Sequence, residues 1–139
     1  AALDEGIIIG GGTALLYASN TINTISENKD IVIGRRIVKS AIQEPFLKIL
    51  SNAGHEVNDI RFASYGLNAA DPNFWLGLDY KNLDIVDFKE LGIIDPKKVT
   101  RIALENAASI AGTILTTESV VYEKRTDKEE ETNPMAGMM

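Results

Sequence analysis

The sequence predicts a mainly α-helical fold, a multihelical bundle with a few short strands. Apolar residues recur at helical spacing in several separate segments. Proline and glycine fall where those segments begin and end. Short runs of β-branched residues that read as strands lie near the two ends, at Ile7–Ile9 and Thr116–Tyr122.

Three isoleucines between glycines favour an extended path over residues 6–12, since β-branched side chains lose freedom in a helix. Before them, Ala1–Glu5 reads as the end of an amphipathic helix whose start lies outside the sequence. From Thr13 the pattern turns helical, with Leu15, Leu16, Ala18, Ile22 and Ile25 on one face. A polar break over Glu27–Asp30 precedes a second stripe, Ile33, Ile37, Val38, Ala41 and Ile42. Glu44-Pro45 opens a third helix carrying Phe46, Leu47, Ile49 and Leu50, which Gly54 stops. A short helix through Val57, Ile60 and Phe62 follows.

Residues 65–71 are rich in turn formers, and 72–83, with Phe74, Trp75 and Tyr80, show no clean period and read as a loop. Asp84–Leu91 is expected to be a short helix closed by Gly92. Asp95-Pro96 then opens the strongest helix, with Asp95 at the N-cap and Pro96 at the first position, running to about Leu115. Its Val99, Ile102, Ala103, Ala107, Ile110 and Ile114 are expected to face a core. Thr116–Tyr122 reads as a strand without an obvious partner, and 125–139 as a disordered tail, first charged and then rich in Met and Gly.

The 139 residues are 45% hydrophobic and 24% charged, ordinary values for one globular domain. A net charge of −6 runs against sequence-independent nucleic-acid binding, which needs a basic surface to displace counterions. No apolar run approaches the roughly 20 residues of a membrane span. The sequence lacks cysteine, which excludes disulfides and thiolate metal sites, and its single histidine, His55, removes most zinc chemistry.

Three segments are candidates for holding a nucleotide. Gly10-Gly11-Gly12 offers bare backbone and free N–H groups at a helix start, where anions are favoured, although a tight interdomain turn needs the same residues. The triplet fits neither the G-x-x-x-x-G-K-[ST] loop nor the G-x-G-x-x-G pattern. Asn68-Ala69-Ala70 could present an amide to a base edge with room for a flat ring, or could be an ordinary turn. Asp95 could accept hydrogen bonds from ribose hydroxyls, or serve as a helix cap, and the two roles are compatible.

Five blocks in order give these segments a common frame: Glu-Gly-x-x-x-Gly-Gly-Gly; Gly-Leu-Asn-Ala-Ala; Gly-Ile-Ile-Asp-Pro-x-Lys-Val-Thr-Arg; Ala-Leu-x-Asn-Ala-Ala-Ser-Ile-Ala-Gly; and Thr-Thr-Glu. Together they resemble group I chaperonins of the GroEL type from Ala1 to about Tyr122, and the Met-Gly tail is similar as well. The resemblance implies the second half of an equatorial domain over 6–124, with 1–5 ending the helix that returns from the intermediate domain. It implies that Gly10 and Gly11 lie against the nucleotide, that Asn68, Ala69 and Ala70 face adenine with Ile93 beside it, and that Asp95 holds the ribose. Thr117–Tyr122 would join a sheet with a neighbouring subunit.

The same resemblance implies an ATP-dependent folding chaperone and ATPase. It also implies a double seven-membered ring of identical subunits with a co-chaperonin lid and unfolded client proteins. The location it implies is the cytoplasm of a bacterium, or a mitochondrial or plastid matrix. Magnesium, the phosphate loop, the lysine and the catalytic aspartate belong to parts of the subunit outside this sequence, so no catalytic residue is assigned here and the chain alone is expected to be inactive.

Two features depart from the family pattern. Leu67 stands where tyrosine is frequent. Asn68 and Asp95 are 27 positions apart, about eleven more than expected, which points to an insertion over 71–83. That insertion is either a surface elaboration or a segment that folds Phe74, Trp75 or Tyr80 over the nucleotide pocket. His55 is expected in a solvent-facing loop near the ring-to-ring contact. Two other readings remain: a Rossmann-type nucleotide enzyme, and a non-catalytic oligomerisation module derived from a chaperonin.

Overall fold

The computed structural model describes residues 1–67 and 73–124; Asn68, Ala69, Ala70, the first two positions of the expected insertion and the tail lie outside the described residues. The element order is α1 (Ala2–Glu5), β1 (Ile7–Ile9), α2 (Thr13–Asn20), α3 (Lys29–Ala41), α4 (Glu44–Asn52), α5 (Val57–Ser64), β2 (Leu76–Leu78), β3 (Ile85–Asp87), α6 (Phe88–Leu91), β4 (Ile94–Pro96) and α7 (Lys97–Leu115). The chain divides into two compact units, Ala1–Glu105 and Asn106–Met139. The mainly helical class with a few short strands is what forms.

Local chemistry accounts for most boundaries. Asn28 caps α3 through its side-chain oxygen, which accepts from the N–H groups of Asp30 and Ile31. Pro45 sits in the first turn of α4. The expected helix after Thr13 ends earlier than its apolar pattern, at Asn20, so Ile22 and Ile25 fall outside it. There the Thr21 N–H and hydroxyl both donate to the Ala18 carbonyl in the last turn of α2.

In the first unit, Ile9, Leu16, Tyr17, Phe46, Leu47, Leu50, Ile60, Leu67, Leu78 and Phe88 form one buried cluster. Each large side chain so buried contributes about 1.5–3 kcal/mol. Gly12 lets α2 and α4 approach: a Cβ there would stand 2.7 Å from the Phe46 nitrogen. Two antiparallel pairs complete the unit. β1 pairs with β4 in the register Ile7↔Pro96, Ile8↔Asp95, Ile9↔Ile94. β2 pairs with β3, Leu76 opposite Asp87 and Leu78 opposite Ile85.

Several expectations are corrected. The segment read as a loop over 72–83 contains strand β2, and the helix expected over Asp84–Leu91 is strand β3 followed by the single turn α6. The Asp87 side chain caps that turn by accepting from the Lys89 and Glu90 N–H groups, which delays the helix start. Helix α7 starts at Lys97, so Asp95 and Pro96 belong to β4 and not to the cap and first turn. The Lys97 N–H donates instead to the Gly6 carbonyl at 3.1 Å, satisfying the helix end from β1's side.

No residue of α7 is buried, so Val99 and Ile102 in the first unit, and Ile110 and Ile114 in the second, meet solvent and not the core expected for them. No described element of the chain covers that face. In the second unit, Thr116–Lys124 has no regular secondary structure. A strand needs a hydrogen-bonding partner, and β-branched composition alone does not supply one.

Candidate functional site

The β1–β4 pairing brings sequence-distant candidates together. Beyond Ile9↔Ile94 the ladder continues with the Gly10 N–H donating to the Ile93 carbonyl at 2.9 Å. Gly10 is buried there, and a Cβ on it would meet the Ile93 carbonyl carbon and oxygen at 3.0 Å. A glycine is thus required by contact with the strand that carries Ile93. The next residue, Gly11, has φ 67°, and its Cβ would meet the Phe88 ring at 3.2 Å.

Asp95 lies two residues beyond Ile93, a spacing that sets side chains on one side of an extended chain. It is half-buried and opposite Ile8. Because Gly6 serves the start of α7, the Asp95 carboxylate is not spent as a cap, and no donor to it is found among the described residues. It is a half-sheltered acceptor beside bare glycine backbone, suited to a ligand carrying hydroxyl donors.

A cavity of about 110 Å³ opens against this turn, lined by Gly11, Thr13, Phe46, Ile49, Leu50, Leu78, Tyr80, Phe88 and Ile93. Its walls are almost wholly apolar. The exception is Thr13, whose hydroxyl is buried with no hydrogen-bond partner among the described residues. Such a space suits a flat, weakly polar ring and is ill suited to a phosphate or a cation.

Gly10, Gly11, Ile93 and Asp95 therefore gather at one place, while Asn68, Ala69 and Ala70 lie outside the described residues. Sequence reasoning missed Ile49, which lines the cavity, as does Tyr80, one of the three aromatic residues offered for the pocket. Ile49 was legible only as part of a helical stripe.

The model of the TCP-1/cpn60 chaperonin family matches residues 1–125. This chain belongs to the TCP-1/cpn60 chaperonin family. A solved chaperonin, described as a group III chaperonin crystallised in the open state, superposes with a TM-score of 0.74 at 26% sequence identity, covering 86% of this chain. The chaperonin segment spans 25% of the length of that relative. The sequence motifs pointed to group I and the solved relative is of group III; these matches establish the family and the equatorial-type helical fold common to them. The antiparallel two-stranded sheets also remove the Rossmann reading, which requires parallel strands with helical crossovers.

Past the C-terminal end of β4, α1 is tied to α7 by ion pairs. Lys98 Nζ donates to Asp4 at 3.0 Å, and Arg101 forks onto Glu5 with Nε 3.0 Å from Oε2. Arg101 also reaches Glu105 at 2.9 Å. The hydrogen bond from Arg101 holds the Glu5 carboxyl below its ordinary value of 4.5, against a smaller opposing effect of desolvation.

Proposed function

We propose that this chain supplies the adenosine-facing wall of the ATP site of a chaperonin subunit that folds proteins at the expense of ATP. One observation carries the reading: the β1–β4 pairing sets the Asp95 carboxylate, which has no donor among the described residues, and the Ile93-lined apolar cavity against the bare backbone of Gly10 and Gly11. The carboxylate suits ribose hydroxyls, the cavity suits the base, and the glycines let both approach the main chain. Asn68, Ala69 and Ala70 would complete the adenine side.

ATP would be hydrolysed only in the complete subunit, where other segments hold magnesium on the phosphates and orient the attacking water. Those segments would make the subunit an ATPase, and the isolated chain is expected to have none of that activity. The subunit would be of group I, assembled with identical copies into a double seven-membered ring that takes a co-chaperonin lid and unfolded clients. It would work in a bacterial cytoplasm or an organelle matrix. Thr117–Tyr122, without a strand partner among the described residues, would gain one from the neighbouring subunit.

The test is ATP protection of the complete subunit against proteolysis. Protection that Asp95→Lys abolishes supports a nucleotide binder. Protection unchanged by that substitution, or absent from the unmodified subunit, would favour a pure oligomerisation module.

A further inference from the structure

Two walls of the cavity come from elements far apart in the chain. Helix α4 supplies Phe46, Ile49 and Leu50, and the β2–β3 hairpin supplies Leu78 and Tyr80. The base of the hairpin is fixed by the core. Leu78 is buried, the Tyr17 hydroxyl donates to the Leu76 carbonyl at 2.8 Å, and the Phe88 N–H donates to the Trp75 carbonyl at 2.8 Å.

The tip is closed mainly on itself. The Asp79 N–H donates to the Asp84 carbonyl at 2.8 Å, and the Leu83 N–H to the Asp79 carbonyl at 2.9 Å. The Asp79 carboxylate accepts from the Lys81 N–H at 2.7 Å. A two-stranded hairpin is marginal by itself in water, so the place where its tip rests depends on what holds it from outside. Among the described residues, one hydrogen bond reaches the tip from another element: His55 Nε2 donates to the Tyr80 carbonyl at 2.6 Å. A carbonyl only accepts, which puts a proton on Nε2.

The main chain of His55 is fixed in turn. Gly54, with φ 99°, ends α4 in a Schellman arrangement, its N–H donating to the Ser51 carbonyl at 3.0 Å and the His55 N–H to the Leu50 carbonyl at 3.3 Å. The backbone of His55 is thus bound to Leu50 and its ring to Tyr80, and both of those residues line the cavity. His55 itself is half-buried and does not line it.

We propose that His55 is a positioning residue of the nucleotide site, a clasp between the α4 wall and the hairpin wall that sets the width of the space a base enters. The inference rests on the nucleotide reading above and adds a residue that acts through Tyr80. A tip left loose would have to be ordered by the incoming base, and that ordering is subtracted from affinity.

Calorimetric titration of the complete subunit with ATP and with ribose 5-triphosphate, which keeps the sugar and phosphates and lacks the base, separates this role from a merely structural one. His55→Ala should weaken ATP roughly three- to tenfold, the range of one uncharged hydrogen bond, and leave ribose 5-triphosphate unchanged. His55→Phe keeps a ring without the donor and should lose ATP affinity similarly. His55→Gln carries an N–H donor that can reach the same carbonyl and should stay within about twofold of the unmodified protein. Unchanged binding of ribose 5-triphosphate shows in each case that the site is folded. ATP affinity indifferent to His55→Ala and His55→Phe would overturn the assignment and leave the nucleotide reading in place. So would equal losses for both ligands, or a loss in His55→Gln as large as in His55→Ala. Failure of the unmodified subunit to bind ATP would overturn both.

Discussion

Replacing Gly12 by alanine tests the packing on which the site depends. Gly12 precedes α2 with φ 74° and ψ 0°, a left-handed conformation that costs an L-residue about 1–2 kcal/mol. Its added Cβ would also lie 2.7 Å from the nitrogen and 2.8 Å from the Cα of Phe46. Both are main-chain atoms at the start of α4, so no side-chain rotation relieves the contact. Reaching an ordinary separation of about 3.5 Å requires a displacement of about 0.8 Å between α2 and α4. That shift disturbs Phe46, Leu47 and Leu50, which are 2%, 6% and 3% exposed. Overpacking of this kind costs about 1–3 kcal/mol, so the total is about 2–5 kcal/mol.

Gly92 is the internal control. Its φ is 71°, and a Cβ there meets nothing within 4 Å, so Gly92→Ala should cost only the conformational penalty of about 1–2 kcal/mol. Urea unfolding of the chain followed through Trp75, its single tryptophan, gives both values. Gly12→Ala should unfold at markedly lower urea than Gly92→Ala. If the two variants agree within about 0.5 kcal/mol, the close approach of α2 and α4 is wrong.

Two further outcomes follow from the same geometry. The Glu5 carboxyl, held low by Arg101, should titrate below 4.5 by NMR and return toward 4.5 in Arg101→Gln. Because the folded value is lowered, the attachment of α1 to α7 persists above the ordinary carboxylate value and is lost as pH falls through the lowered one; an unchanged Glu5 titration in Arg101→Gln would refute the pairing. Thr13→Val should raise stability by about 1 kcal/mol in urea unfolding, since it removes a buried hydroxyl that lacks a partner among the described residues. A loss of stability would mean that the hydroxyl is satisfied.

Much of this architecture was legible because local and tertiary signals agree. Ile7–Ile9 is extended by its β-branched content, and the glycines after it turn the chain into α2. Phe46, Leu47 and Leu50 repeat at helical spacing and do enter the core. The β2–β3 hairpin was illegible for the converse reason. Leu76-Gly77-Leu78 is too short to show alternation, and its glycine answers to the Phe88 ring, which would lie 2.6 Å from a Cβ there. That contact comes from a residue eleven positions away and leaves no local pattern.

The apolar stripe of α7 is real in sequence, yet no described element of this chain covers it, so periodicity alone could not identify its cover. Asp95 shows the same division between local and distant causes. An Asp-Pro pair before a helix reads as a cap, but the Gly6 carbonyl, distant in sequence, takes the Lys97 N–H, and the Asp95 carboxylate has no donor among the described residues. The candidate site was therefore readable as a set of residues and unreadable as a geometry. Of Phe74, Trp75 and Tyr80, all three offered by the sequence, it is the hairpin that puts Tyr80 at the cavity.

ATP affinity of the complete subunit, measured by calorimetry for the unmodified protein, Asp95→Asn and Asp95→Lys, bears most directly on the adenosine-facing wall. Loss of a charge-assisted hydrogen bond to ribose should weaken ATP roughly tenfold or more in Asp95→Asn, and the lysine should weaken it further. Three equal affinities would contradict the placement of the nucleotide at this wall.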